Sequence, residues 1–383
     1  MADPVWFWQQ IVSPHMAGLA EALARSGRPV TYIAEQPMSA ERAALGWKAP
    51  ELGAVTLRFA PDTAAAANLV SEAPETSIHI CQGFRGNGVV GSARTALARR
   101  CLRQWVIMET VEEQGWAASA IKRLEYSRLM RAWRGKIEGV LAIGESTPAW
   151  LAARGMPAER IVPFAYFLPE AEIPMPPQRS MGAPFRFLFV GRLIETKRID
   201  TLIDALARLK DYQFELMVVG SGPLMEIMRR RARACLSDRV IWLGQIPIGE
   251  IPAIMADADC LVLPSRHDGW GAVVSESLMV GTPAICSDRC GAAGVVRASG
   301  HGGVFKAGDV DALDSVIRHC IEAALQTQAH RDALADWAKC LTAEAGAIYL
   351  EKILRGELQG DVAPPWAGGS TLGLINARGT APK

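Results

Sequence analysis

The most chemistry in the chain is carried by one run, His267-Asp268-Gly269-Trp270-Gly271-Ala272-Val273-Val274-Ser275-Glu276. It follows an apolar run that ends Leu263-Pro264-Ser265, so a strand delivers a loop with two glycines and a helix begins near Gly271. The first N–H groups of a helix have no intrahelical acceptor and carry partial positive charge, which suits a phosphate. Glycines let such a group come close. Asp268 hangs in the loop, and Glu276 stands in the helix where it can accept hydrogen bonds from paired hydroxyls such as those of a ribose. The plainer reading of the same run is a capped helix flanked by solvated acids.

A second run, Phe189-Val190-Gly191-Arg192-Leu193, leads on to Lys197. Arginine offers a planar fork to phosphate oxygens and lysine a mobile point charge. Two cations on such a loop are by themselves ordinary solvated surface. Beside the first run they read as a diphosphate clamp.

Both runs need strands to hold them. Apolar stretches at 5–8, 30–33, 77–81, 105–108 and 139–143 alternate with segments of helical period, such as 15–25. Pro169, Pro174, Pro176, Pro177 and Pro184 then interrupt the pattern. It resumes with strands predicted at 185–190, 214–219, 240–243, 260–263 and 283–286 and helices at 199–209 and 224–234. Strand–helix alternation predicts parallel sheets covered on both faces. The domains expected are 1–170, a linker at 171–183, 184–340, a helix at 341–358 and a loose tail at 359–383.

The 383 residues suffice for two cores, and 41 Lys plus Arg against 40 Asp plus Glu exclude a chain-wide basic footprint for nucleic acid. No apolar run approaches the ~18 residues that a membrane span needs, and no positive segment precedes the first apolar run as in a secretory signal. The eight scattered cysteines contain no CxxC pair, which predicts reduced core thiols and a cytoplasmic setting.

With these residues in view the chain resembles a retaining glycosyltransferase of family 4, a group 1 glycosyltransferase. Gly191, Arg192, Leu193 and Lys197 match that family's Gly-Arg-Leu…Lys loop, and Gly220-Ser221-Gly222-Pro223 matches its Gly-x-Gly-Pro. Pro264, Ser265, Gly269, Gly271 and Glu276 match its Pro-Ser-x-x-Glu-Gly-Phe-Gly loop and the glutamate that follows. Asp268 and Trp270 stand where the family has Glu and Phe. The resemblance spans 185–304; the first half matches only in pattern.

The resemblance implies the α/β GT-B fold, two Rossmann-like parallel-sheet domains facing across a cleft. It implies transfer of a hexose, with retention, from a nucleotide-diphosphate sugar to a glycan or lipid-linked acceptor in surface polysaccharide synthesis. No metal and no further cofactor would be needed. Arg192 and Lys197 would hold the diphosphate, Glu276 the ribose and Asp268 the sugar, with Gly191, Gly269, Trp270, Gly271, Ala272 and Val273 lining the donor. In the acceptor half, Glu109 occupies the place of a family histidine at the end of the 105–108 strand. His79, in the 77–81 strand, matches another family histidine, and His15 is an acceptor-side candidate at a helix start. Each of the three also reads as an ordinary capping or buried side chain.

Asp257-Ala258-Asp259 and Asp309-Val310-Asp311 have the spacing of an Mg²⁺-holding Asp-x-Asp, but they sit at a helix end and a helix start and read as structural punctuation. Residues 85–136 hold eleven cations and four acids interleaved with Ile121, Leu124, Leu129, Met130 and Trp133. Such a stretch can dock on an anionic inner membrane face or simply be a solvated helix face. Two rivals stay open: a sugar-nucleotide-binding protein without transfer, and a two-Rossmann oxidoreductase. The second lacks the Gly-x-Gly-x-x-Gly that its cofactor requires.

Overall fold

The computed structural model describes residues 2–368, apart from 41–42, 44–47, 86–87, 114, 171–181, 324–326 and 358–362. Nearly all of the expected linker at 171–183, and most of the tail after 359, therefore lie outside the described residues. The chain divides into two compact units, Met1–Pro169 with Thr342–Pro365, and Glu170–Leu341 with Trp366–Lys383.

Unit 1 contains β1 (Val5–Ile11), β2 (Val30–Gln36), β3 (Thr56–Phe59), β4 (Ile78–Gln82), β5 (Arg103–Glu109), β6 (Gly139–Ile143) and β7 (Ile161–Phe164). They form one parallel sheet in the order β3-β2-β1-β4-β5-β6-β7, with Val5 level with both Val30 and Ile78. Both faces are covered, which is why the central strands read as unbroken apolar runs. Trp6, Trp8 and Cys81 on one face pack with Ala66, Leu69 and Val70 of α2 (Thr63–Glu72) and Val90, Ala93 and Leu97 of α3 (Val89–Arg99). Val106, Met108 and Val140 pack with Tyr126 and Met130 of α4 (Trp116–Trp133). Helix α1 (Pro14–Arg25) packs with the C-terminal helix, Ala343–Leu354. Arg28 is paired there with Glu351, and Tyr349 donates to the Pro163 carbonyl at 3.1 Å.

Unit 2 contains β8 (Phe185–Val190), β9 (Phe214–Val219), β10 (Val240–Gly244), β11 (Cys260–Leu263), β12 (Ala284–Ser287) and β13 (Gly302–Phe305), again all parallel, in the order β10-β9-β8-β11-β12-β13. Helices α5 (Ile199–Leu206), α6 (Met225–Leu236) and α7 (Val310–Glu322) bury Leu202, Ile203, Met228 and Ile317 against Phe187, Leu216 and Val262. In both sheets the strand order reverses between the first strand and the fourth. Ligands of doubly wound sheets bind outside the carboxyl ends of the strands at such a reversal.

Several expectations change here. Cys101 and Cys235 are exposed rather than core thiols, although all eight cysteines are free. The tail is not uniformly loose: Pro365–Gly368 forms a short 3-10 turn, and the Trp366 ring lies 6.2 Å from that of Trp270. Leu129 and Trp133, expected on the basic surface, turn inward to the core. The Arg94 guanidinium covers Trp133 at 4.2 Å, while its nitrogens donate to the Gly83 and Phe84 carbonyls.

Candidate functional site

In unit 2 the reversal lies between β8 and β11, and the two sequence runs are the loops that leave those strands. Residues 191–197 follow β8 and end in a 3-10 turn, Glu195–Lys197. Residues 264–271 follow β11 and lead into α8 (Ala272–Met279). The Arg266 N–H donates to the Thr196 carbonyl at 2.8 Å, which ties the loops together. Gly220 lets the neighbouring loop press on the first: a Cβ there would stand 2.0 Å from the Gly191 carbonyl oxygen. Gly220-Ser221-Gly222 thus serves the packing of the clamp loop, with Leu193 N–H donating to Ser221 at 2.9 Å.

Lys197 and Asp268, seventy-one residues apart in sequence, meet at 2.5 Å in a partly buried ion pair. Asp268 is pinned from behind, its N–H donating to Arg289 O and its carbonyl accepting from Gly291 N–H at 3.1 and 2.9 Å. Gly271 turns the chain into α8 at φ 87°, a conformation costly for any residue with a side chain. The space is closed as well, for a Cβ would lie 2.6 Å from Cys290 Sγ. Behind this turn the N–H groups of Ala272 and Val273 meet no acceptor among the described residues. One turn on, the Glu276 carboxyl is partly buried and makes no hydrogen bond among the described residues. Burial pushes its pKa up to about 7. Arg192 is exposed on the first loop.

Trp270 corrects an expectation. Its side chain is buried at 2% exposure and its indole donates to Ser275 at 3.1 Å, while its carbonyl accepts from Ala292 N–H and Cys290 Sγ. It buttresses the loop and presents no ring surface to a donor. The Asp-x-Asp pairs are structural: Asp257 pairs with Arg186, Asp259 accepts from the Arg186 N–H at 2.7 Å, and Asp309 caps α7.

In unit 1 the reversal lies between β1 and β4, and a cavity of about 350 Å³ opens there. Glu109, at the end of β5, and His15, in the first turn of α1, both line it. The His15 ring stacks on Tyr166 at 5.1 Å, and the Tyr166 hydroxyl donates to Glu109 Oε1 at 3.4 Å. His79 does not reach the cavity. It is the second residue of β4, three short of the strand's carboxyl end, with no exposure, accepting from Trp8 Nε1 at 3.0 Å on Nδ1 and contacting Ser77 Oγ at 2.9 Å through Nε2. With Nδ1 accepting, the proton resides on Nε2 and is donated to Ser77. Burial, aided by Arg100, lowers the ring's pKa to about 3, so it stays neutral and structural. Three lining residues carried no motif: Gln9, Glu35 and Gln82, polar residues just after the apolar stretches of β1, β2 and β4. Polarity at a strand's carboxyl end is the signal that would have found them.

Residues 175–336 match the family model for glycosyl transferases group 1. That match falls within unit 2 and takes in both loops. The curated relatives include a 2-deoxystreptamine glucosyltransferase of Streptomyces kanamyceticus, 33% identical over 38% of this chain and 41% of that protein. A GDP-mannose-dependent alpha-(1-6)-phosphatidylinositol monomannoside mannosyltransferase of Mycolicibacterium smegmatis is 27% identical over 58% and 62%. The chain thus spans less than two thirds of the length of either. Among solved structures, the apo lipopolysaccharide outer core galactosyltransferase WaaB superposes with a TM-score of 0.69 at 18% identity, covering 93% of this chain and all of that one. HepE of Anabaena in complex with UDP gives 0.70 at 16%, covering 92% of this chain and all of that one. At such identities the likeness establishes the fold, which is GT-B. In this fold Lys197, Asp268 and the start of α8 lie at the strand reversal of unit 2.

Proposed function

We propose that this chain is a retaining hexosyltransferase of family 4 that moves a sugar from a nucleoside diphosphate to a hydroxyl of a glycan or lipid-linked acceptor, as a step in surface polysaccharide synthesis. The observation that carries the reading is the Lys197–Asp268 pair beside the open N–H groups of Ala272 and Val273. The UDP complex of HepE and the GDP-mannose dependence in the name of the mycobacterial relative support a nucleotide-sugar donor.

In the reaction the bond between the sugar's anomeric carbon and the diphosphate oxygen breaks, and its electron pair leaves on the diphosphate. The acceptor hydroxyl oxygen bonds to that carbon on the same face and gives up its proton, which the departing phosphate can take. Charge grows on the leaving group, so prearranged cations and helix N–H groups lower the barrier. Lys197 and Arg192 face the diphosphate, Glu276 holds the ribose and Asp268 a sugar hydroxyl. Two cations and a helix start supply the positive charge that a metal would otherwise bring, so no metal or further cofactor takes part.

No helix among the described residues is long and apolar enough to cross a membrane. On α4, Ile121 and Leu124 are exposed at 67% and 55%, with Arg128 and Arg131 exposed near them. We place this face against the anionic inner surface of a membrane, with the protein cytoplasmic and peripheral.

The test is turnover with UDP-, GDP- and ADP-sugars in EDTA, read as released nucleoside diphosphate. Transfer in chelator with anomeric configuration retained is the expected result. Loss of turnover that Mg²⁺ restores would overturn the metal-free mechanism, and nucleotide binding without any turnover would leave a binding protein.

A further inference from the structure

We propose that the unit 1 cavity is built for a polyhydroxylated ring that carries a protonated amine, so that the acceptor is an amino sugar or aminocyclitol residue. The inference rests on the transferase reading and names the class of its acceptor. Among the described residues, the cavity's lining includes two carboxylates, Glu35 and Glu109, and no lysine or arginine. Glu35 leaves β2 and Glu109 leaves β5, on opposite sides of the β1–β4 reversal. Three strand spacings, roughly 14 Å, separate their backbones, which leaves room for a ring between the two carboxylates. At about 350 Å³ the cavity lies near the lower end of small-molecule sites.

The remaining lining is matched to hydroxyls. Gln9 is only 4% exposed, yet its Nε2 has no hydrogen-bond partner among the described residues. A buried amide donor without an acceptor is unfavourable, and a ligand oxygen would satisfy it. Gln82 can both donate and accept, as a hydroxyl requires. The stacked rings of His15 and Tyr166 give a flat wall, and an aromatic face also attracts a cation. An ammonium donates three hydrogen bonds and accepts none, so it pairs directly with one carboxylate and is drawn by the charge of the other. A phosphate in the same place would meet two negative groups and, among the described lining residues, no lysine or arginine. The charge of the lining therefore selects an amine and rejects an acidic substituent.

The experiment is calorimetry on the full chain with the donor site filled by the preferred nucleoside diphosphate, comparing glucosamine, N-acetylglucosamine and glucose at a pH where the amine is protonated. Glucosamine is expected to bind about tenfold more tightly than either neutral sugar, the scale of one charge-assisted hydrogen bond. Glu35→Gln and Glu109→Gln should each shrink that preference to about threefold or less while leaving nucleotide affinity intact, which also reports that the variants are folded. If a variant does not fold, raising the salt from roughly 0.05 to 0.5 M should shrink the wild-type preference instead. Equal affinity for glucosamine and glucose, no detectable glucosamine binding, or a preference that survives both substitutions and salt overturns the inference. Nucleotide binding and donor turnover in the same preparation keep the two readings apart. A chain that turns over donor without preferring the amine loses only this inference; one that prefers the amine but binds no nucleotide loses only the transferase.

Discussion

The two sheets reverse their strand order at equivalent places, between β1 and β4 in unit 1 and between β8 and β11 in unit 2. The groups gathered at the two reversals are of opposite character. Unit 2 offers Lys197, Arg192 and the uncapped N–H groups at the start of α8, a setting for phosphate. Unit 1 offers two carboxylates, side-chain amides and a pair of stacked rings. Topology dictates where a ligand goes, because the diverging loops leave a crevice there. The residues that end the strands dictate what it is. A repeated architecture can thus present two unlike sites without altering its strand order.

The sharpest way to break this contrast is to discharge the unit 2 site. Lys197→Ala should lower kcat/KM by roughly two to three orders of magnitude, the usual cost of one preorganised charge on a leaving group, and Arg192→Ala by one to two. Initial rates against donor concentration give the answer; a loss under about threefold for Lys197→Ala would remove it from the clamp.

Asp268→Asn should come next, lowering transfer by roughly one to two orders of magnitude while free nucleoside diphosphate binds as well or better. Lys197 would no longer be shared with a carboxylate, which is why affinity should not fall. Calorimetry that found diphosphate affinity falling in step with turnover would contradict the sugar contact.

Glu276→Gln tests the ribose contact through pH. Burial holds the Glu276 carboxyl neutral up to about pH 7, whereas the carboxylate is the better acceptor for hydroxyls. Nucleoside affinity in the wild type should therefore rise several-fold between about pH 6 and 8 and stay flat in the variant. The same shift bears on stability. The folded chain keeps a proton that the unfolded chain releases near 4.5, so this group's stability is full below 4.5 and is lost as pH rises through about 7. Thermal melts of Glu276→Gln should lack that decline, and parallel melting curves for the two proteins across this window would refute it.

The smallest effect concerns α4. Exchanging Arg128 and Arg131 for Glu, or Ile121 and Leu124 for Ser, should weaken sedimentation with anionic vesicles by several-fold at low salt, at about 1 kcal/mol for each cation near the surface. Nucleotide affinity should not move. Wild-type and variant chains pelleting alike would leave the face merely solvated.

Much of this was legible in the sequence, and the exceptions have physical causes. Central strands stand out because both faces are buried, and β1, β2, β4 to β6 and β8 to β12 were all visible as apolar runs. Strand β3 is an edge strand with Leu57 and Phe59 exposed, β7 contains Pro163, and β13 opens on Gly302-Gly303. Each of these looks like a break in structure. The loops that leave β8 and β11 were readable because glycines and charges gather directly after their apolar runs. Trp270 was misplaced because a loop position does not reveal which way a ring turns. His79 was misplaced for a related reason: lying one residue from the apolar Ile78 and Ile80 says nothing of its distance from the strand's end. Only Gln82 and its counterparts on other strands emerge where the cavity lies.

The placement of the C-terminal helix has a consequence for biosynthesis. Unit 2 draws its whole sheet from one continuous stretch, while unit 1 must take back Ala343–Leu354 to cover α1 and engage Arg28. As the ribosome releases the chain from its amino end, the earlier-made half must wait with an uncovered apolar face while the later-made half assembles. A nascent chain of which only the first 341 residues have emerged would therefore carry a complete second sheet behind an unfinished first unit. The exposed surface of α1 during that interval is where a chaperone would be expected to bind.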